Sequence, residues 1–387
     1  MGADLVRGHG RLDGPRRVAV ETRNDGRVVV FAQHAVAVCT GSRAALPDLP
    51  GIAEVRPWIS RDATSASTVP ERLDIVGGGV GTEMASAYQG LGASVTLLAR
   101  GEGLLPRMEP FVEQLVARAL AEAGVDVRMG VTVTALSGSE GTGPVTLLLD
   151  DGRELGADEV LFAIGRTPLT DDIGLETVGL TPGSWLEVDE TCGVRAINDG
   201  WLYAMGDGNH HALLTDQGKY QARIGGDASA ARADGRPLDT APWGAHAISA
   251  DFHAVPQDFF CDPEATAVGL FAEQAERAGH RVRAVDVELG KVKGASLYAD
   301  GYRGRARMVV DLDHGYLLGV TFVGPGVAEL LHSATVAVAG QVPIDRLWHA
   351  VLCFPTISEV WLRLLEAYRG CAPERITGGR AVLRTGS

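Results

Sequence analysis

Four glycines in five positions, Gly77, Gly78, Gly79 and Gly81, carry the first chemistry legible in this sequence. They follow Arg72-Leu73-Asp74-Ile75-Val76, which reads as a buried strand, and they lead into a helix expected over residues 81–91. A second strand follows, ending at Leu98-Ala99-Arg100. Such a turn suits a pyrophosphate. One glycine permits the bend, a second lets the backbone approach the phosphates, and a third lets the helix pack close to the strand; the free N–H groups of the helix face the anion. The usual spacing is G-x-G-x-x-G. Gly77 and Gly79 fit it, but the third place falls on Thr82. A one-residue shift turns a helical side chain by about 100°, so Gly81 is expected to point away from the packing seam. Sliding the register makes Gly78 and Gly81 the second and third glycines and leaves Val76 in the first place. A purely structural turn is the competing reading. The flanking strand, helix and second strand favour nucleotide binding.

The tip of the second strand selects the nucleotide. A carboxylate there would hold the ribose 2′-OH of NAD, and an arginine the 2′-phosphate of NADP. Arg100 occupies the tip, which favours NADPH; a solvated surface arginine is the alternative.

The elements that must position these residues are legible in outline. The 387 residues suffice for two or three domains. Hydrophobic content of 45% and charged content of 22% are ordinary for a globular chain. No apolar run approaches the roughly 20 residues of a membrane span, and the first residues lack the apolar core of a signal peptide, so a cytoplasmic location is expected. The net charge of −14 argues against nucleic acid as a partner. Cys39, Cys192, Cys261, Cys353 and Cys371 form no close pair; buried inert thiols are expected, and neither a metal site nor an internal redox disulfide.

Residues 1–50 read as strands and turns, with a hairpin signal at Asn24-Asp25-Gly26. A unit over 70–165 holds the glycine turn, a helix over 109–123, a hairpin at Asp151-Gly152 and a flexible loop at 137–144. Residues 166–245 read as loops and short strands, including an apolar strand at 200–207. Residues 255–370 read as α+β, with helices over 327–340 and 358–368 and a mobile tail beyond.

Taken in order, several stretches resemble the pyridine nucleotide–disulfide oxidoreductases, the flavoprotein family of glutathione reductase, dihydrolipoamide dehydrogenase and mercuric reductase. "VCTGSRAALPDLPG" resembles the family's crossover into its nucleotide domain, "IVGGGVGTEMA" its second glycine motif, and "ADEVLFAIGRTP" the strand leaving that domain. "GWLYAMGDGNHHALLT" is similar to its second flavin motif, "AVPQDFFCDPEATAVGL" to the opening of its interface domain, and "FPTISEVW" stands where it has H-P-T-x-x-E.

The resemblance implies an α/β fold. An incomplete FAD-domain sheet (1–69 and 167–250) would carry an inserted NAD(P)-binding Rossmann-like domain (70–166). A C-terminal α+β dimerisation domain (251–370) and a tail (371–387) would follow. It implies FAD and NAD(P)H as cofactors and a homodimer in which each subunit completes the other's active site. By resemblance, Asp207, after Gly206, would accept a hydrogen bond from the flavin ribityl chain. Thr215 would lie near the isoalloxazine ring, Thr40 and Gly41 would pass close to the flavin, Glu83 matches the family's helix glutamate, and Gly165 would lie near the nicotinamide nucleotide.

Three departures qualify this. The family's first glycine unit is absent from this sequence, as is the C-x-x-x-x-C pair and the lysine that would partner Glu83. A truncated form of a longer flavoprotein is therefore expected, the alternative being a natural short form whose sheet a partner completes. The family's catalytic histidine is replaced by Phe354, which leaves Glu359 as an orienter without its imidazole; phenylalanine cannot move a proton. His349 is a poor substitute. The expected activity is hydride transfer from NADPH to flavin and then to a small-molecule acceptor other than a small disulfide, a quinone or another electron acceptor. A non-catalytic dimeric remnant and an NADP(H)-binding sensor are the alternatives.

Overall fold

Leu73, Ile75, Leu97 and Leu98 are fully shielded from solvent, and the strands that carry them, Arg72–Gly77 and Ser94–Ala99, lie at the centre of a four-stranded parallel sheet. Glu159–Ala163 flanks the first and Asp126–Met129 the second. Parallel neighbours need crossovers, and the helices Gly79–Gly90 and Pro110–Glu122 provide them. A three-stranded antiparallel sheet of Val133–Ser137, Val145–Leu149 and Glu154–Ala157 shares a core with it, where Leu136, Val145 and Leu147 meet Leu98, Val160 and Phe162.

The computed structural model describes residues 2–24, 26–138 and 144–370. Asp25 of the expected hairpin, residues 139–143 of the expected loop, and the tail from Cys371 lie outside the described residues. The strands around Asp25, Arg17–Thr22 and Arg27–Phe31, pair antiparallel, and Asp151-Gly152 joins the antiparallel strands Val145–Leu149 and Glu154–Ala157. The chain divides into two units, Met1–Cys261 and Asp262–Ser387.

Within the first unit, Val36–Val38 pairs in parallel with Leu202–Ala204, and Ser42–Ala44 pairs antiparallel with Arg166–Pro168. Residues 39–42 and 205–207 therefore emerge from the same end of one strand pair. Leu12, Leu175, Leu186, Trp201, Tyr203 and Ile248 belong to the core around it.

The sequence reading misses one element here. Where loops and short strands are expected, Thr215–Ala233 forms a 19-residue helix. Its buried residues are Gln217, Gln221, Gly225, Ala228 and Ala231, so no row of large apolar side chains marks the inner face. Glycine also weakens a helix by nearly 1 kcal/mol relative to alanine, but two of its glycines face close neighbours. A Cβ on Gly218 would stand 3.2 Å from the Gly206 Cα, and one on Gly225 2.4 Å from the Met205 Cε.

In the second unit, Ala265–Gly269, Leu317–Val323, Arg305–Asp311 and Val282–Glu288 lie side by side in that order, all antiparallel. The helices Ala328–Ala339 and Val360–Arg369 bury Leu330, Ala334, Val360, Trp361 and Leu364. Among the described residues no helix is long and apolar enough to cross a membrane, and no cluster of three or more His, Cys, Asp or Glu is suited to a metal. The four described cysteines are free thiols. The expectation that they are buried holds for Cys192 and Cys261 only. Cys39 and Cys353 are exposed, because each sits beyond the end of an ordered element.

Candidate cofactor site

Gly77 has φ +146°, and a Cβ there would stand 2.2 Å from the Ala163 carbonyl oxygen; one on Gly78 would stand 2.5 Å from that of Leu104. No side chain fits at either. The helix begins at Gly79, with Gly78 as an N-cap that lends no side-chain bond and no acidic residue in the first turn. Its free amides keep their positive end uncompensated. A Cβ on Gly79 would meet the Phe259 ring at 2.8 Å.

Gly81 corrects the sequence reading. It does not point away from the seam: it is buried, and a Cβ there would lie 3.3 Å from the Ile75 Cγ2 and 3.4 Å from the Leu97 Cδ1. The residue missing from the usual spacing is taken up in the turn, where Gly78 adopts φ −100°, ψ −109°, rather than on the helix face. Gly81 thus fills the close-packing place, and Thr82 is buried beside it.

On the same helix, Glu83 accepts a hydrogen bond from the Phe260 amide at 3.0 Å. Burial pushes its carboxyl above the usual range, and that amide opposes the shift. Arg100 is exposed immediately after the strand Ser94–Ala99.

Asp207 lies in the turn Gly206–Asn209 that follows Leu202–Ala204. Its Oδ2 accepts a short hydrogen bond from the Ser42 hydroxyl, and the Arg166 Nε stands 3.4 Å away. Arg166 also donates to the Ser42 hydroxyl at 2.5 Å and to the Ser42 carbonyl at 2.8 Å. Gly41 and Gly165 both have positive φ, and where a Cβ would project neither meets an atom within 4 Å. Thr40 and Thr215 are exposed, Thr215 as the first residue of its helix. The Gly77 and Asp207 regions are joined through the backbone: Ala163 pairs with Gly77, and three residues later Arg166 reaches Asp207.

Sequence reasoning passed over Ser42 and Arg166, although both lie in stretches singled out above. It also missed Gln217, Gln221 and Asp251. Gln217 donates to the Asp251 Oδ1 and Gln221 to its Oδ2, each at 2.6 Å. The only sequence signal is the i, i+4 spacing of the two glutamines, which places them on one helix face.

In the second unit Phe354 is 72% exposed. Glu359 is buried and held by Arg363, which also donates to Glu366 at 2.8 Å. The other Glu359 oxygen is buried without a partner. His349 is exposed.

A family model described as pyridine nucleotide-disulphide oxidoreductase matches residues 8–235, and one for the dimerisation domain of the same family matches residues 255–365. The chain belongs to the pyridine nucleotide-disulphide oxidoreductase family. It is therefore an α/β flavoprotein-type chain with a dimerisation domain, within a family of NAD(P)H-dependent oxidoreductase enzymes. It is 30% identical over 380 residues to dihydrolipoyl dehydrogenase of Haloferax volcanii, covering 96% of this chain and 76% of that protein. It is 30% identical over 359 residues to mercuric reductase of Acidithiobacillus ferrooxidans, covering 92% of this chain and 61% of that protein. The fold matches the HOCl-induced flavoprotein disulfide reductase RclA of Escherichia coli with a TM-score of 0.80 at 23% identity, over 94% of this chain and 79% of that one.

Proposed function

We propose that this chain is an FAD-dependent oxidoreductase that takes hydride from NADPH and passes electrons to an acceptor other than a small disulfide. The observation that carries the reading is the continuous link from Gly77 through Ala163 to Arg166 and Asp207, which sets a dinucleotide turn beside a carboxylate suited to a polyol. Residues 1–69 and 167–250 form the flavin part, 70–166 the nucleotide part and 251–370 the dimerisation part of a homodimer.

The residues present fit the pyrophosphate of a nicotinamide dinucleotide and the ribityl side of a flavin. Gly77 and Gly78 leave no room for a side chain, so bare backbone and helix amides meet a pyrophosphate. Arg100 would hold a 2′-phosphate. Gly41 and Gly165 offer backbone to open space, and the Asp207 carboxylate can only accept, which suits a ribityl hydroxyl. Bound flavin would supply two-electron chemistry between nicotinamide and acceptor. Thr40 and Thr215 would flank it. Glu83, its carboxyl raised by burial, keeps a proton to higher pH than an exposed glutamate does.

Two features of the second unit support this reading of the acceptor. Phe354 cannot transfer a proton, and Arg363 holds one carboxylate oxygen of Glu359. An exposed aromatic ring instead offers a stacking surface, which favours a quinone. Anaerobic reduction with NADPH followed by addition of acceptors tests this. Turnover of quinones is expected; turnover of a small disulfide but not of quinones contradicts it.

A further inference from the structure

We propose that Gln221 and Asp251 are positioning residues for Asp207, holding the Gly206–Asn209 turn through a buried relay of hydrogen bonds. The proposal rests on the reading of Asp207 as the flavin-side carboxylate, but the relay can be tested without flavin.

The side chain of Asp251 is fully buried. Its partners are the amide nitrogens of Gln217 and Gln221, each at 2.6 Å, and the His211 Nδ1 at 3.3 Å. Burying a carboxylate is expensive unless every oxygen is satisfied, so a carboxylate here needs a reason. An ionised carboxylate only accepts, whereas a glutamine amide can present either end. Asp251 therefore forces Gln221 to turn its NH2 inward and its carbonyl outward. That Oε1 accepts from the Gly206 amide at 2.7 Å and from the Asn209 Nδ2 at 2.8 Å. Asn209 in turn donates to the Ala204 carbonyl at 3.2 Å, and its Oδ1 accepts from the His211 amide at 3.1 Å. The turn is thus gripped at both ends, with Asp207 between the grips. Gly218, one helical turn before Gln221 and pressed against the Gly206 Cα, permits the approach.

Three variants test the relay: Gln221→Leu, Gln221→Glu, and Gln221→Glu combined with Asp251→Asn. Amide hydrogen exchange is read over residues 204–210 and 222–233, and FAD affinity by titration. Gln221→Leu strands the half-buried Gly206 amide, and Gln221→Glu sets two carboxylates against each other. Each should raise exchange over 204–210 by about tenfold or more and weaken FAD by a similar factor, with 222–233 unchanged. The double variant should return both within about twofold of wild type, because the new amide donates to the new carboxylate, whose other oxygen takes the Gly206 and Asn209 hydrogens. The proposal is overturned if Gln221→Leu leaves exchange unchanged, if the double variant is no better than Gln221→Glu alone, or if exchange rises equally along the whole helix. If the wild-type chain takes up no FAD, the flavin reading of Asp207 fails, and the exchange measurement still decides the relay.

Discussion

Arg166 and Asp207 stand 3.4 Å apart and share the Ser42 hydroxyl, which takes a hydrogen bond from the first and gives one to the second. Arg166 sits just beyond the strand that pairs with Gly77, so the Asp207 carboxylate is tied to the Gly77 turn. Arg166→Met removes charge-assisted bonds worth roughly 1.5–3 kcal/mol. FAD affinity should fall by about tenfold or more, measured by fluorescence titration; unchanged affinity would detach Arg166 from the site.

The glycines of the turn should not be equivalent. Gly77→Ala forces a side chain onto a carbonyl 2.2 Å away at φ +146°, and should abolish NADPH binding. Gly81→Ala meets the ends of Ile75 and Leu97 at 3.3 and 3.4 Å, side chains that can yield. It should cost about 1–2 kcal/mol in thermal unfolding while leaving binding detectable. Equal effects on binding would contradict the assignment of Gly81 to packing.

How far the sequence reveals the fold varies with the physics of each element. Strong local signals, such as the glycine turn and the apolar, β-branched runs within Arg305–Asp311 and Leu317–Val323, name their elements directly. The helix Thr215–Ala233 stays hidden because its buried face is glycine, alanine and glutamine, which gives no apolar period. Asp251 stays hidden because its partners lie 30 and 34 residues away, and sequence spacing does not report such pairs. Gly81 is misread because a loss of one residue can be absorbed in a turn or on a helix, and only the backbone decides which.

Asp74 lies buried in the central sheet, and burial pushes its carboxyl up, opposed by a hydrogen bond from Thr96 and by Arg128 and Arg72. Its folded-state value exceeds the unfolded one. As pH rises above about 4 the unfolded chain releases its proton first, so stability falls until the folded carboxyl has also ionised. Asp74→Asn keeps the shape without the ionisation. Its stability relative to wild type should rise between acid and neutral pH and show no such gain below the unfolded value, in denaturant titrations at several pH values. A pH-independent difference would contradict it.

Asp311 behaves oppositely. Burial would raise its carboxyl, but bonds from the His314 ring, the Asp313 and His314 amides and the His280 ring prevail, bringing it down to about 2. This stabilisation is complete above the unfolded value near 4 and is lost as pH falls through about 2. Asp311→Asn should therefore cost about 2 kcal/mol at pH 7 and lose its effect in strong acid, read from unfolding midpoints.

The reading of Arg100 as the partner of a 2′-phosphate makes its own prediction. Arg100→Glu should lower NADPH affinity by about tenfold or more and leave NADH unchanged or tighter, by calorimetry. An unaltered preference would remove Arg100 from the site.

The most direct test of the whole account is anaerobic titration of the purified protein with NADPH, following the flavin absorbance. Bound flavin should bleach on stoichiometric addition in the wild type, and Asp207→Ala should fail to retain flavin. Protein that binds neither FAD nor NADPH, or that holds flavin which NADPH leaves unbleached, would contradict a nicotinamide turn set beside a flavin carboxylate.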